Sequence, residues 1–319
     1  MNIDELRDHL QHYYTEGTGT ILYMIFLEAG ESQVRLVDID HDDLKELKEM
    51  FLNGIKETIV DDENQQIRKL STADDRGNVL YEYDLEEVPS ELNVFSDIHA
   101  NGEQQQYSSR SDAINDLYAY IIVIGDAENK LCIYKKHYPI NTYSGQKHFF
   151  LFESEHRFKK MQNDMIKINN TFDILYIHDT ILIKNIRMFE KFYGFHDIAK
   201  RQAMQSIAQI QAQGILDNPG ELAEDLEDAA FSRRLIQTTS DSPVLGKIPV
   251  EAIIVFTKTY PTLQGKFKYS GPGTQIHLDT KKSKILFLKM LNDDFLQSEL
   301  TKAYYDSLAK DNIVIESQR

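Results

Sequence analysis

Lysine and arginine residues gather in the last third of the chain, in a pattern that suits contact with phosphate groups. Ammonium and guanidinium groups hold the backbone phosphates of nucleic acids, and such contacts carry no base information. Two interpretations of this segment are open from the residues alone: an interface for double-stranded DNA, and a solvated basic face on an ordinary helical subdomain. The predicted contacts are Arg233, Arg234, Lys258, Lys266, Lys268, Lys281, Lys282 and Lys284.

The elements around these residues are predicted to follow the order of a winged helix-turn-helix over residues 229–280. This segment reads as a helix, a short helical piece at 242–247, a helix that begins after Pro249, and two strands around Gly271-Pro272-Gly273. In that fold the second helix of the motif enters the major groove, and neighbouring basic residues contact the DNA backbone.

A second basic set lies earlier in the chain, at Lys159, Lys160, Lys200 and Arg201. Lys200 and Arg201 are predicted to lie on an exposed helix face. If both sets line one groove or a dimer channel, the molecule can hold duplex DNA without reading its bases, and binding then depends steeply on salt. The alternative role of these residues is solubility.

No arrangement of residues predicts catalysis or a cofactor. The spacing of the alternating aspartates from Asp38 onward and of Glu49 resembles that of calcium ligands in a calcium-binding loop. However, Asp43 occupies the position where the sharp turn of such a loop requires glycine. The Glu-x-Lys letters at 46–48, as in a magnesium nuclease, lie on a predicted helix rather than a strand. The sequence thus predicts a protein that is not an enzyme, with no catalytic residue, metal or cofactor. The alternative is a nuclease or other hydrolase whose carboxylates no motif reveals.

The net charge of −16 is unevenly distributed over the 319 residues. Residues 1–110 contain 25 acidic and nine basic residues, whereas residues 111–319 contain 26 of each. Residues 211–228 carry six acids and no base, and they lie between two segments in which bases predominate. This asymmetry predicts an acidic module beside a surface that accepts a polyanion.

Cysteine content and hydropathy bear on the compartment. The single cysteine, Cys132, excludes a disulfide framework and suits a reducing cytoplasm. No apolar run approaches the ~20 residues needed to cross a bilayer, and the charged N-terminus is unlike a signal peptide. These features predict a cytoplasmic protein unless a partner tethers it.

The order of the predicted elements, strands first and then mostly helices, indicates an α+β fold. Residues 1–110 are predicted to form an acidic strand-and-helix module. Residues 111–319 are predicted to combine a mixed sheet and helices with the winged-helix-like segment. At the centre of this second region, two short strands joined at His178-Asp179 precede a helix capped by Asn185 and a longer amphipathic helix.

This central stretch also carries a family resemblance. The segments FDILYIHDTILIKN, FEKFYGF and KILFLKMLNDDFLQSELT resemble the soluble B component of the Kiwa anti-phage defence system. The resemblance covers roughly the last half to two thirds of the chain, and its motifs are structural rather than catalytic. It implies a homodimeric effector that binds DNA and blocks phage DNA replication or late transcription. It also implies recruitment to the inner membrane by a small membrane partner, the Kiwa A component.

The acidic residues within 1–110 suggest how such recruitment would work. Membrane proteins carry an excess of lysine and arginine on their cytoplasmic loops, so opposite charges would guide docking. A further alternative is an adaptor that bridges a membrane sensor to another effector without binding DNA.

Overall fold

The chain forms two compact units. The computed structural model describes residues 1–297 and 304–306, except residues 16, 74–76, 100–103, 144–150, 155, 162 and 241. The units are Met1–Phe195 and His196–Arg319. The division predicted near residue 110 falls inside the first of them. Helices combine with a large mixed sheet, so the predicted α+β class is confirmed.

The first unit is built on a nine-stranded sheet with the strand order β3-β4-β13-β12-β7-β6-β1-β2-β5. Neighbouring strands are antiparallel except for the pairs β3/β4 and β2/β5, which are parallel. The strands of this unit are β1 (Gly19–Glu28), β2 (Glu31–Leu36), β3 (Gln66–Lys69), β4 (Val79–Glu82), β5 (Gln105–Gln106), β6 (Leu117–Gly125), β7 (Lys130–Lys136), β8 (Thr142–Tyr143), β9 (Leu151–Ser154), β10 (Arg157–Lys160), β11 (Met165–Ile166), β12 (Ile174–Ile177) and β13 (Thr180–Ile183). Its helices are α1 (Ile3–Gln11), α2 (His41–Ile55), α3 (Val94–His99) and α4 (Ile186–Phe192).

The sheet crosses residue 110 because β1 pairs with β6 along nearly its whole length. One apolar cluster joins helix residues such as Leu6 and Phe51 to strand residues such as Ile122, Ile133 and Leu175. Burial of these side chains removes apolar surface from water, which is the main favourable contribution to folding. The acidic residues of 1–110 therefore lie on elements that share one hydrophobic core with β6 and β7.

The central stretch folds as predicted. β12 and β13 pair antiparallel across His178 and Asp179, both of which have positive φ, as a two-residue hairpin turn requires. The Asn185 side chain accepts a hydrogen bond from the backbone N–H of Met188 and so caps α4. The longer amphipathic helix follows at once.

The second unit consists mainly of helices with short β-hairpins. Residues Pro219–Asp225 form a 3-10 helix where the acidic run lies. The labelled elements are α5 (Phe195–Ala212, whose first residue belongs to the first unit), α6 (Ala229–Ser240), α7 (Val250–Thr259), β14 (Lys268–Tyr269), β15 (Ile276–His277), α8 (Lys281–Leu291), β16 (Phe295–Gln297) and β17 (Tyr304–Asp306).

The segment 229–280 shows the order helix, turn, helix, hairpin. The short helical piece predicted at 242–247 is wrong: the chain forms turns there, since Gly246 has a φ of +71° and Pro249 ends the segment. The hairpin strands β14 and β15 are only two residues each.

Within the described residues, no helix is long and apolar enough to span a bilayer.

Candidate nucleic-acid interface

Six of the predicted cations belong to neighbouring parts of the second unit. Lys200 lies on α5, Lys258 near the end of α7, and Lys281 in the first turn of α8. The lysine strip, as we call this set, consists of Lys200, Lys258, Lys266, Lys268, Lys281 and Lys282. All of its members are exposed except Lys200, which is half-buried.

The start of α8 is fixed by its cap. The Thr280 side chain accepts a hydrogen bond from the backbone N–H of Ser283 at 3.1 Å, and the Ser283 hydroxyl accepts one in return from the backbone N–H of Thr280. This cap places Lys281 and Lys282 in the first turn, where the helix dipole disfavours positive charge. The helix dipole therefore does not favour Lys281 and Lys282 at this position, and any stabilising contacts come from other elements.

Three carboxylates form ion pairs with lysines of the strip. Lys268 Nζ lies 2.8 Å from Asp279 Oδ2, and Lys281 Nζ lies 2.9 Å from Asp228 Oδ2. Lys200 donates a hydrogen bond to Glu227. These contacts link the hairpin, the start of α8, the start of α6 and α5 into one surface.

The same contacts change the acidity of the carboxyl groups. The hydrogen bond from Lys200 lowers the pKa of Glu227, that from Lys281 lowers the pKa of Asp228, and that from Lys268 lowers the pKa of Asp279. All three are therefore held ionised at neutral pH. Three lysines of the strip are thus paired with carboxylates, whereas Lys258, Lys266 and Lys282 make no ion pair among the described residues.

Lys258 joins α7 to the hairpin. Its Nζ donates to the carbonyl oxygen of Gly273 at 3.0 Å and lies 4.6 Å from the centroid of the Tyr269 ring. The Tyr269 hydroxyl in turn donates to Thr257 Oγ1 at 3.0 Å. Tyr269 is therefore engaged in packing the hairpin onto α7.

The exposed face of α7 offers few groups that read bases. In a helix-turn-helix, this helix would present arginine, asparagine or glutamine to base edges. Here the outward positions carry Glu251, Val255, which is 58% exposed, and Lys258. The helix thus offers a single phosphate-binding cation and no amide or guanidinium group.

Lys284 has a different environment from its neighbours in sequence. Only 5% of its side chain is exposed, and its Nζ lies 3.0 Å from Asp225 Oδ2, 3.2 Å from Glu224 Oε2 and 3.8 Å from Glu221 Oε2. Burial alone lowers the pKa of Lys284, but the hydrogen bonds and charges of Asp225 and Glu224 outweigh burial and raise it. These three carboxylates, here called the carboxylate clamp, surround the Lys284 ammonium group. Lys284 is therefore not part of the strip.

The remaining predicted cations are divided among other elements. Arg233 and Arg234 are half-buried on α6, which packs against α8. Arg201 is exposed on α5 beside Lys200. Lys159 and Lys160 are exposed on β10 in the first unit.

β9 and β10 form a separate two-stranded ribbon that carries apolar as well as basic residues. Phe158 is 69% exposed and Leu151 is 54% exposed. Phe158 pairs with Glu153 across the ribbon, and Lys160 pairs with Leu151. Since cross-strand partners lie on one face, a carboxylate stands beside the exposed ring, and the charge of this surface is mixed.

Two observations on the described residues concern metal binding and nucleophiles. No group of three or more His, Cys, Asp or Glu residues there could hold a metal ion. Burial raises the pKa of the Cys132 thiol to about 12, so the thiolate nucleophile is scarce at neutral pH. The aspartates whose spacing resembles a calcium loop include Asp42 and Asp43. Both lie in the first turn of α2, where the helix dipole favours negative charge.

Lys136 is a buried lysine of the first unit. It is 7% exposed, and its Nζ donates to the carbonyl oxygens of Tyr118 at 2.7 Å and His137 at 3.1 Å. The same atom lies 3.7 Å from the Tyr118 ring centroid and 5.0 Å from that of Phe192. Burial lowers the pKa of Lys136 to about 8, although the charge of Asp173 acts in the opposite direction. With its donors directed at carbonyls and a ring, Lys136 holds the sheet and α4 together.

Sequence reasoning missed the counter-ions of the strip, although one signal pointed to them. The sequence shows six acids and no base within 211–228, directly before a basic segment. Four of these six acids contact a lysine that the sequence predicted to bind DNA, and a fifth lies 3.8 Å from one.

Comparison with known proteins identifies the family. A family model described as Kiwa protein KwaB-like matches residues 114–301, more than half of the chain. The chain belongs to the Kiwa KwaB-like family. It is 27% identical over 285 residues to the Kiwa protein KwaB of Escherichia coli O55:H7 (strain RM12579 / EPEC). The aligned residues cover 88% of this chain and 90% of the relative. No solved structure matches. The span shared with the KwaB-like model contains both the lysine strip and the ribbon.

Proposed function

We propose that the protein is an anti-phage defence effector that binds double-stranded DNA without reading its bases. The observation that carries the proposal is the lysine strip of the second unit, whose ion pairs connect α5, α6, α8 and the hairpin and in which three lysines make no ion pair among the described residues. Membership of the Kiwa KwaB-like family supports the defence role. α7 contains no arginine, asparagine or glutamine, the residues most often used to read bases, and this supports binding through phosphates.

In this proposal, DNA binding blocks phage DNA replication or late transcription, and the protein itself cuts nothing. A cytoplasmic homodimer is recruited to the inner membrane by the small membrane component of the system. Two symmetry-related strips would double the number of phosphate contacts on one duplex, and such contacts set both affinity and salt dependence.

The first experiment measures duplex DNA binding by the purified full chain over a salt series, with and without Mg²⁺. We expect binding that weakens steeply with salt, is similar for unrelated sequences and leaves the DNA intact. Cleavage that requires Mg²⁺ would favour the nuclease alternative. Absence of binding at low salt would overturn the proposal and favour the adaptor.

A charge-reversal variant localises the interface. Lys266 and Lys282 are exposed and make no ion pair among the described residues, so K266E/K282E changes charge with little effect on packing. We expect at least about tenfold weaker binding at low salt, and a salt slope smaller by about 0.9 for each phosphate that the variant no longer binds. The control K45E/K56E makes the same charge change at two exposed lysines of the first unit. Equal weakening in the control would indicate a global charge effect.

Recruitment to the membrane requires a test that keeps the sheet intact. Deletion of residues 1–110 would remove β1, which pairs with β6, so loss of membrane association would not be informative. Charge-neutral replacement of four exposed acids on α2 avoids this difficulty: Asp42, Asp43, Glu46 and Glu49. If the acidic surface docks on the membrane component, this variant should leave the membrane fraction of co-producing cells. Unchanged co-sedimentation would contradict docking through this face.

A further inference from the structure

We propose that Glu227 and Asp228 act as built-in competitors of DNA phosphate for Lys200 and Lys281. This inference concerns regulation of the lysine strip and rests on the proposed function. In the free protein, both lysines are neutralised by these carboxylates. DNA must therefore exchange a carboxylate for a phosphate at each position, and the two acids set the strength of binding.

The exposure of these pairs makes the exchange feasible. The side chains of Glu227 and Lys281 are 76% and 55% exposed, and those of Lys200 and Asp228 are 38% and 40% exposed. Ion pairs in contact with water are weak, because solvent screens the charges and long side chains lose freedom when they pair. His196 also approaches Glu227, with Nε2 3.7 Å from Oε2. A phosphate that arrives at this surface meets cations that are held only loosely.

The backbone that carries the two acids remains in place during the exchange. Leu222 and Leu226 are buried, and the Ser232 hydroxyl donates to the carbonyl oxygen of Leu226 at 2.9 Å. Asp228 Oδ1 accepts a hydrogen bond from the backbone N–H of Ala230 at 3.0 Å, at the start of α6. The backbone beside the two acids and the Asp228 carboxylate are thus anchored, whereas each lysine ammonium sits on a flexible four-carbon stem that can turn from a carboxylate to a phosphate.

The consequence for salt dependence is specific. A lysine that contacts phosphate normally contributes about −0.9 to the slope of log K against log salt concentration, because a counter-ion leaves the DNA. When the lysine must first leave a carboxylate, salt also screens and weakens that internal ion pair. This screening acts in the opposite direction, so Lys200 and Lys281 contribute less to the slope in the natural protein.

The test compares duplex DNA binding by the full chain and by the variant E227Q/D228N over a salt series. Asparagine retains the side-chain oxygen that caps α6, so the variant keeps this hydrogen bond. We expect about three- to tenfold tighter binding and a steeper slope, with about 1.8 as the upper limit for two phosphate contacts. Adding K200Q/K281Q to this variant should abolish the gain.

A matched control is D42N/E46Q, which removes two exposed acids from α2 in the first unit. Asp42 also pairs with a lysine there, Lys45. An equal gain in this control, or a gain that survives K200Q/K281Q, would overturn the inference. So would E227Q/D228N binding like the natural protein, a result that leaves the proposed function standing. If none of these proteins binds DNA, the proposed function fails and the inference with it.

Discussion

The two ends of the acidic segment 221–228 place lysines in contrasting environments. At one end, Lys284 is buried among three carboxylates, of which Asp225 is the nearest at 3.0 Å. At the other end, Lys200 and Lys281 pair with Glu227 and Asp228 in contact with water. The first arrangement anchors α8 to the 3-10 helix, and the second leaves cations that can change partner.

The difference shows that burial decides what an acid–lysine pair does. A buried ion pair has lost its hydration, so removal of one member leaves an uncompensated charge. An exposed pair retains most of its hydration and costs little to separate. Lys281 and Lys284 are three residues apart in sequence, yet one suits DNA contact and the other suits stability.

The largest expected effect is the loss of stability in K284A. Removal of this ammonium leaves Asp225 and Glu224 facing each other without a cation. Breaking a fully buried pair costs about 3–5 kcal/mol, and because Glu224 is 68% and Asp225 20% exposed, we expect a loss of about 2 kcal/mol. Urea denaturation followed by circular dichroism measures the change in the free energy of unfolding.

The control for this experiment is K281A, which breaks an exposed pair on the same helix. We expect only a small fraction of the loss seen in K284A, because water screens the pair and Asp228 still caps α6. A second variant, K284M/D225N, removes one charge of each sign and should recover part of the loss. Equal losses in K284A and K281A would remove the contrast between the two ends.

Lys136 sharpens the comparison, because it is a buried lysine whose ammonium contacts no carboxylate among the described residues. Its pKa is lowered to about 8, from an unfolded value of ~10.4. The unfolded chain therefore binds more protons than the folded chain between these values, and the contribution of Lys136 to stability rises with pH in this window. The pKa of Lys284 is raised instead, so its contribution is complete below the unfolded value and is lost only at higher pH.

The natural protein and K136M should thus respond differently to alkali. Between pH 8 and 10, the free energy of unfolding of the natural protein should gain about 2 kcal/mol relative to the variant. Denaturation at several pH values measures this difference, and the titration of other groups cancels between the two proteins. Parallel pH profiles would show that the ammonium of Lys136 is better solvated than its burial indicates.

Much of the first unit was predictable from local sequence signals. The hairpin of β6 and β7 turns at Asp126, whose side chain accepts hydrogen bonds from the backbone N–H groups of Glu128 and Asn129. Asn185 likewise caps α4 as its position indicated. In each case the signal and the structure lie within a few residues of each other.

The end of the chain shows where local signals fail. The apolar spacing from Lys281 onward favours a continuous helix, but α8 ends at Leu291 and Phe295–Gln297 form a strand. Asp293 adopts a positive φ of 54°, which short polar side chains tolerate better than most. The Leu- and Lys-rich pattern favours helix, but the polar residues after Leu291 end it.

The candidate site was predictable in its residue types and not in its pairing. The sequence showed which lysines could bind phosphate, and residues 266, 268, 281 and 282 do lie at the hairpin and the start of α8. The partners of Lys200 and Lys281 are 27 and 53 positions away along the chain. Only tertiary structure brings such residues together, so the neutralising role of the acidic run could not be read from spacing.

The smallest expected effect concerns E227Q, and it tests the exposed end of the segment directly. Loss of this carboxylate should lower the free energy of unfolding only slightly at low salt, because an exposed pair contributes little to stability. The change should disappear near 0.5 M NaCl, where the Debye length is about 4 Å, whereas the effect of K284A should persist because buried charges are poorly screened. Denaturation of both variants at low and high salt provides the measurement.

A large and salt-independent loss in E227Q would mean that Glu227 anchors Lys200 as firmly as the clamp holds Lys284. In that case Lys200 could not be released to phosphate, and the distinction between the two ends of the segment would not hold.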